Sequence, residues 1–266
     1  MEHIFSNLSY PTLALIATLF TWFVTLLGAS IVFFFKNVNK SIMDAILGFA
    51  AGVMIAAAFF SLLSPSIEMS INLGLTGWIV ASSGVILGAI LLFVGDKIFD
   101  KLEEKKERKN TSSLKRCLML MFSITLHNIP EGLAVGVAFG SLSYNLDGAT
   151  LSSSCMLALG IGLQNFPEGM AISLPLRREG MSRKKSFFYG QLSGIVEPIS
   201  GVLGAILVLK SRILLPYLLA FAAGAMIYVV VEELIPESQT NKKKDFMAFC
   251  TLIGFVIMMI MDLALG

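Results

Sequence analysis

Two similar polar motifs interrupt the apolar sequence of this chain. The first reads HNIPEG and begins at His127, and the second reads QNFPEG and begins at Gln164. In a helix, the first residue of each motif lies one turn before the motif's glutamate, Glu131 or Glu168, so the two side chains share a face. An imidazole with carboxylate and amide oxygens, and without thiolate, suits Zn²⁺ and also Mn²⁺, Fe²⁺, Co²⁺ or Cd²⁺. The two motifs therefore predict a site for divalent cations.

An asparagine follows the first residue of each motif, and a third acid occurs farther along the chain. Asn128 and Asn165 lie three residues before the two glutamates, which gives each carboxylate a second polar neighbour. Packing the two motif helices together would form two adjoining clusters that share both glutamates, a geometry for one or two cations. Glu197, in SGIVEPISG, lies in the middle of another apolar stretch and is also followed by proline. We expect it at the same depth as the two motifs.

The elements that must position these residues are predicted to be transmembrane helices. Only 14% of the 266 residues are charged and 56% are hydrophobic, whereas ordinary soluble domains are about 25% charged. A stretch of about 20 apolar residues can cross the hydrocarbon core as a helix. We predict an all-α membrane protein with a single domain over residues 1–266. The eight such stretches are residues 11–35, 42–64, 75–95, 117–139, 155–176, 186–209, 213–233 and 246–265.

The basic residues predict how the chain is oriented in the membrane. Of the 20 Lys and Arg residues, all but Lys210 and Arg212 fall in connections 1–2, 3–4, 5–6 and 7–8, the longest of which spans residues 96–116. Since Lys and Arg are held on the cytoplasmic side, these connections are predicted to be cytoplasmic and both termini outside. In a bacterium the membrane would be the cell (inner) membrane. The net charge of +2 reflects topology and contact with the lipid bilayer, and we expect no nucleic-acid partner.

Acids buried in such a protein need a counter-charge. A charged side chain at the bilayer centre costs about 2.5–3.5 kcal/mol on insertion scales. No Lys or Arg lies in the middle of the eight stretches, so we expect cations or protons to neutralise the three glutamates. Pro130 and Pro167 also interrupt backbone hydrogen bonds. Such a break in a membrane is tolerated only where it is buried in protein or lines a cavity.

Further matches predict an inverted repeat. FAAGVM from Phe49, in the second stretch, matches FAAGAM from Phe221, in the seventh, and GAILLFVGD in the third stretch matches GFVIMMIMD in the eighth. If stretches 1–3 are an inverted copy of stretches 6–8, with 4 and 5 as a central antiparallel pair, all of these matches are explained. Stretches 1 and 6 show no convincing similarity. Inverted repeats are the architecture of many secondary transporters, whose sites lie near the membrane midplane.

At these motifs the sequence resembles the ZIP family of divalent-metal transporters, and specifically its GufA-like branch. Four ordered segments carry the resemblance, which covers essentially the whole chain: HNIPEGLAVGVAFG, GIGLQNFPEGMAISLPLR, YGQLSGIVEPISGVLGA and AFAAGAMIYVVVEELIPE. The resemblance implies eight transmembrane helices in an inverted 3+2+3 repeat (the ZIP fold), a binuclear site between spans 4 and 5, and a homodimer. It also implies an elevator, in which spans 1, 4, 5 and 6 move against spans 2, 3, 7 and 8.

The resemblance assigns metal ligands residue by residue. The first implied position contains His127, Glu131, Gln164 and Glu168, with Met54 of span 2 at its outer side. The second contains Asn128, Glu131, Asn165, Glu168 and Glu197. Glu232 and Glu233 fall where the family has an inner exit cluster. From the residues alone, Met54 could equally be a packing residue, and the two acids could end a solvated helix. Many relatives carry His or Asp where this chain has Gln164 or Asn165, which favours a broader metal specificity here.

The expected function is transport of a divalent cation toward the cytoplasm. Zinc is the first candidate, followed by Mn²⁺, Fe²⁺, Cd²⁺ and Cu²⁺. The metal is then cargo, and we expect neither a cofactor nor enzymatic activity. One alternative is an intramembrane metalloenzyme in which a metal activates water, but the sequence has no HExxH motif. The other is an ion-coupled carrier of an organic anion, which the lack of a basic residue at the midplane disfavours.

Overall fold

The computed structural model of the protein describes residues 8–35, 39–106, 113–144, 149–178 and 180–265. Within these residues the chain forms eight long helices and no β-strand, which confirms the all-α prediction. Each of the eight apolar stretches falls, in order, on one helix. The helices are α1 (Tyr10–Ser30), α2 (Lys40–Asn72), α3 (Gly77–Lys106), α4 (Ser113–Ser141), α5 (Leu151–Arg178), α6 (Arg183–Lys210), α7 (Leu214–Ser238) and α8 (Lys244–Ile260).

Local side chains fix several helix ends. Ser9, Asn39 and Ser182 each accept a hydrogen bond from a backbone N–H in the first turn of α1, α2 and α6. Such caps satisfy amide groups that have no partner within the helix. Gly74 and Gly180 have φ values of 73° and 89°, a left-handed conformation that glycine adopts without strain. The connections α2–α3 and α5–α6 can therefore be short.

Six helices are long and apolar enough to cross a membrane, counting only the described residues. They are Tyr10–Phe33, Lys40–Asn72, Gly77–Ile98, Arg183–Lys210, Leu214–Ser238 and Lys244–Ala264. α4 and α5, with 29 and 28 residues, are long enough as well, but they carry the two polar motifs and are not among the six. The prediction of a multi-pass membrane protein is supported, and spans 4 and 5 stay predictions.

The predicted cytoplasmic connection, residues 96–116, is partly helical. α3 continues through Lys106 and α4 begins at Ser113, and residues 107–112 lie outside the described part of the chain. The segment DKLEEKK at the end of α3 is rich in Lys and Glu, which are good helix formers. The charged sequence therefore extends the helix beyond the apolar stretch.

α2 and α7 each contain a π-helical segment at matching places. The segments are Ala57–Leu63 in α2 and Val230–Leu234 in α7. Each is followed directly by a short α-helical segment with proline in its first turn, Pro65 or Pro236. Because proline has no backbone N–H, a preceding carbonyl loses its usual α-helical partner, and a local i→i+5 pattern accommodates the break.

Four helix pairs pack most extensively: α1 with α5, α2 with α8, α3 with α7, and α4 with α6. Glycines allow the backbones to approach closely. In the α4–α6 pair, a Cβ at Gly136 would overlap the backbone carbonyl of Gly201. In the α1–α5 pair, a Cβ at Gly169 would overlap the carbonyl of Thr25. The helices around the two motifs are thus held in direct backbone contact.

The contacts of α2 with α8 match those of α7 with α3. The glycine of each FAAG segment lies against the partner's backbone, Gly52 at Thr251 and Gly224 at Val85. The glycines of the second pair of matching segments lie in turn against the FAAG phenylalanines. These contacts are Gly254 with Phe49 and Gly88 with Phe221. Segments that match in sequence therefore also make matching contacts.

Replacing Gly136 with alanine should destabilise the protein. The added Cβ has no room against Gly201, and overpacking of this kind typically costs about 1–3 kcal/mol. We expect Gly136→Ala to lower the apparent Tm in detergent micelles, measured by fluorescence-detected size exclusion after heating. Gly140→Ala is the matched control, because a Cβ there comes no closer than 3.0 Å to Ala205 in the same helix pair. An equal or larger loss for Gly140→Ala would contradict this packing.

Candidate metal centre

The glutamate of the first motif is bonded to the helix that carries the second motif. α4 and α5 are in contact, and the Gln164 Nε2 of α5 donates a hydrogen bond to Oε1 of Glu131 on α4. Both side chains are fully buried. Glu168 of α5 is also buried, with an exposed fraction of 6%. The structure therefore joins Glu131 to Gln164, and Glu168 is buried one helical turn after Gln164 on α5.

The fourth residue of that predicted position is His127. Its backbone belongs to α4, one helical turn before Glu131, as the spacing predicts. Its side chain lies outside the described part of the structure. The imidazole therefore stays a predicted ligand.

A second cluster joins α5 to α6 and α1. Asn165 Nδ2 lies 2.9 Å from each carboxylate oxygen of Glu197, and it also donates to the backbone oxygen of Thr21 at 3.2 Å. The hydroxyl of Thr21 donates to Glu197 Oε2 at 2.5 Å. Glu197, Asn165 and Thr21 are all fully buried. The third acid thus lies beside the second motif, as its mid-stretch position predicts.

Buried oxygen atoms of both motifs have no hydrogen-bond partner in the described structure. Each of these oxygens is an acceptor, so it needs a donor or a cation. An unpaired polar atom in a protein interior is costly, and most buried polar groups are paired. The unpaired atoms are Asn128 Oδ1, Glu131 Oε2, Gln164 Oε1, Asn165 Oδ1 and Glu168 Oε2. These oxygens cluster in the two motifs, as expected of side chains that bind a metal ion through oxygen.

The amide nitrogen of Asn128 is unpaired as well. Since the two ends of an amide side chain are assigned from their hydrogen bonds, either orientation of Asn128 leaves one oxygen available. The fully buried Asn128 therefore fits the second predicted position as an oxygen ligand.

The three buried carboxylates are connected through neighbouring residues of α5. Gln164 is hydrogen-bonded to Glu131, and the next residue, Asn165, is hydrogen-bonded to Glu197. Like charges in a medium of low dielectric repel strongly. A divalent cation between them would remove this repulsion.

Asp44 is a buried acid whose charge is compensated by a neighbouring lysine. Asp44 is 1% exposed, and its carboxylate receives hydrogen bonds from Lys40 at 3.0 and 3.1 Å and from Asn241 at 2.8 Å. Ser238 also donates to its backbone oxygen. Asp44 therefore has its counter-charge within the protein, whereas the glutamates of the motifs form no salt bridge with a described residue.

The acidic side chains alone do not form a complete metal cage. Among the described residues, no three His, Cys, Asp or Glu side chains converge closely enough to hold a metal ion. A metal site here would need amide oxygens as well, and the amide side chains of Gln164 and Asn165 contact the carboxylates of Glu131 and Glu197. An amide-rich site binds more weakly than a closed cage of thiolate and imidazole ligands.

The accessory residues lie on α2 and α7. Met54 of α2 is 1% exposed, so it lies in the interior. Glu232 is exposed and Glu233 is half-buried, and both belong to the π-helical segment of α7. The two acids of the predicted exit cluster therefore lie at or near the surface of α7, and Met54 lies in the interior.

Sequence reasoning missed Thr21. Thr18, Thr21 and Thr25 of α1 are fully buried, and their spacing of three and four residues places them on one face of the helix. That periodicity within an apolar stretch was the available signal. Since Thr hydroxyls in helices commonly bond to a preceding carbonyl, the signal alone does not identify a contact with Glu197.

Comparison with known proteins supports the same conclusion as the motifs. The profile of the ZIP Zinc transporter family matches residues 8–116 and 100–262. Zinc transporter ZIP11 of Xenopus tropicalis is 38% identical, covering 95% of this chain and 97% of the relative. Zinc transporter GufA of Myxococcus xanthus is 34% identical, covering 95% and 98%. Zinc transporter ZIPB of Bordetella bronchiseptica is 33% identical, covering 91% and 78%. This chain belongs to the ZIP zinc transporter family.

Proposed function

We propose that this protein carries zinc and other divalent cations across a membrane toward the cytoplasm, through the two polar motifs of α4 and α5. The unpaired buried oxygens of Asn128, Glu131, Gln164, Asn165 and Glu168 carry the proposal. The relatives are named zinc transporters, which favours transport over hydrolysis. Buried acids without a basic partner favour a cationic cargo over an anionic one.

The proposed site holds two metal ions that share Glu131 and Glu168. The first ion takes His127 and Gln164 as further ligands, with Met54 beside it. The second takes Asn128, Asn165 and Glu197. No three acids among the described residues converge closely enough to hold a metal ion, so we expect the three glutamates to draw together when the second ion binds. The hydrogen bonds from Gln164 to Glu131 and from Asn165 to Glu197 support this division, because each lies within one proposed position.

The inverted 3+2+3 repeat is supported by the packing. In this repeat α1, α2, α3 and α4 correspond to α6, α7, α8 and α5. The close pair α1–α5 then corresponds to the close pair α6–α4, and α2–α8 corresponds to α7–α3. The correspondence includes α1 and α6, whose sequences show no clear match. Gly132 of the first motif lies against Glu197 of α6, and Gly169 of the second lies against Thr25 of α1. Thr25 therefore takes in α1 the place of Glu197 in α6.

Transport is proposed to follow an elevator mechanism. α1, α4, α5 and α6 contact one another and contain both motifs, whereas α2, α3, α7 and α8 form a second group. The groups meet where α2 contacts α5 and where α7 contacts α4. Motion of the first group along the second would expose the metals to each side in turn. Glu233 and Glu232 would accept departing ions on the cytoplasmic side.

We also propose that both termini lie outside and that two chains form a homodimer.

Neutralising either shared glutamate should abolish zinc uptake. Glu131→Gln and Glu168→Gln keep the side-chain shape but remove a charged ligand from both proposed positions. We expect uptake of radiolabelled zinc into proteoliposomes to fall to the level of empty liposomes. Glu237→Gln is the control, because the Glu237 side chain is 61% exposed. Full uptake by either motif variant would overturn the proposed function.

Removing the hydroxyl of Thr21 should destabilise the metal-free protein. Thr21→Val retains the shape of the side chain but leaves Glu197 without one donor, and a hydrogen bond to a charged group contributes about 1.5–3 kcal/mol. We expect a lower apparent Tm in the presence of a chelator, with Thr21→Ser close to the unmodified protein because it retains the donor. If valine and serine lower the Tm equally, the loss comes from packing and not from this hydrogen bond.

Restoring charge and imidazole to the second motif should sharpen the preference for zinc. Neutral amides at Gln164 and Asn165 lower the negative charge of the site and reduce its advantage for Zn²⁺ over Mn²⁺. In Gln164→His/Asn165→Asp, we expect the ratio of zinc to manganese uptake to rise. The comparison uses the same proteoliposomes with both metals supplied singly. An unchanged or lower ratio would show that selectivity is set elsewhere.

A further inference from the structure

Two methionines occupy equivalent places in the matching segments of α2 and α7. Met54 ends FAAGVM and Met226 ends FAAGAM. Both side chains are 1% exposed, and both belong to the same hydrophobic core. The resemblance gives Met54 a place beside the first metal position. It gives no place to Met226.

Helix geometry directs both methionines toward the motif helices. Gly52 faces α8 and Gly224 faces α3. Each methionine follows its glycine by two residues, which turns the side chain about 200° around the helix axis. Met54 and Met226 therefore point away from α8 and α3. α2 also contacts α5, and α7 also contacts α4, the two helices that carry the glutamates. Both methionines share a core with Ala134 and Val135 of α4 and Ile161 of α5.

The residues of the first metal position are equivalent in pairs under the inverted repeat. His127 is equivalent to Gln164, and Glu131 is equivalent to Glu168. Exchanging the two halves of the repeat therefore leaves this set of four positions unchanged. The same operation exchanges Met54 for Met226. A cation between the two glutamates therefore has one methionine on its α2 side and the other on its α7 side. The second position lacks this equivalence, because the counterpart of Glu197 is Thr25.

We propose that Met226 is a metal-contacting residue of the first position, and that its thioether takes over from that of Met54 when the motif helices move to the other side of the membrane. This inference rests on the proposed transport function. The motif helices contact both α2 and α7 in this structure, so the proposed movement runs along these two helices. Because α2 and α7 are related by an inverted repeat, Met54 and Met226 lie on opposite sides of the axis of the repeat, and each methionine serves one state. A thioether is a soft ligand, which binds Cd²⁺ in preference to Mn²⁺, a cation that favours oxygen ligands.

The experiment compares Cd²⁺ with Mn²⁺ in membrane vesicles of both orientations. The variants are Met226→Leu, Met54→Leu and the double variant, since leucine fills a similar volume without a metal-binding atom. Met247→Leu is the control, because Met247 is fully buried but lies beside Gly48 at the α2–α8 interface. KM is measured for each metal supplied from each side.

We expect Met226→Leu to raise the KM for Cd²⁺ severalfold from one side of the membrane and to leave the KM for Mn²⁺ unchanged. Met54→Leu should do the same from the opposite side, and the double variant should show both effects. Met247→Leu should change neither. The KM for Cd²⁺ would then depend on the thioether sulfur and on the side from which the metal is supplied. A packing role alone would not produce this dependence.

An active Met226→Leu variant with unchanged Cd²⁺ kinetics from both sides would overturn the inference while leaving the proposed function intact. Equal losses for Cd²⁺ and Mn²⁺, also seen in Met247→Leu, would overturn it too, because they would show a packing defect. If the unmodified protein moves neither metal, the proposed function fails and this inference fails with it.

Discussion

The structure depends on how it compensates negative charge inside an apolar helix bundle. Asp44 receives hydrogen bonds from Lys40 and Asn241, and so links the start of α2 to the connection between α7 and α8. Glu197 is held by neutral donors from two helices. Glu131 and Glu168 each retain a buried oxygen without a partner among the described residues. Asp44 thus has a structural role, whereas the proposed function gives the motif glutamates a cation that binds and leaves.

The close helix pairs place these acids with little freedom. Glycine at the contacts brings α4 against α6 and α5 against α1 at backbone distance, so Glu131, Glu168 and Glu197 are carried by helices that cannot slide independently. The groups α1–α4–α5–α6 and α2–α3–α7–α8 meet across other surfaces, in which Met54 and Met226 are core residues. The proposed elevator would need both features, namely closely packed helices around the polar residues and an apolar surface between the two groups.

Periodicity and length in the sequence were sufficient to predict the helices and the burial of the motif residues Asn128, Glu131, Gln164, Asn165 and Glu168. Apolar stretches gave the order of the helices, and the four-residue spacing placed Gln164 and Glu168 on one face. The third apolar stretch ends at residue 95 in a hydropathy scan, whereas α3 continues to Lys106, because Lys and Glu favour a helix although they are not apolar. Thr21 was missed because its contact with Glu197 joins residues far apart in sequence. α1 and α6 correspond in the contacts that they make with Gly169 and Gly132 and not in their sequences. Different side chains can make equivalent packing contacts at these positions.

The π-helical segments of α2 and α7 have a consequence for comparing this chain with its relatives. A π-turn accommodates one more residue than the α-turn it replaces, and one residue corresponds to about 100° of rotation around the helix. A relative with a regular α-helix at Val230–Leu234 would be one residue shorter there. An alignment without a gap would then pair Glu233 with a residue on a different face. Acidic positions in this region should therefore be matched by the helix surface they occupy and not by their count from the FAAG segment.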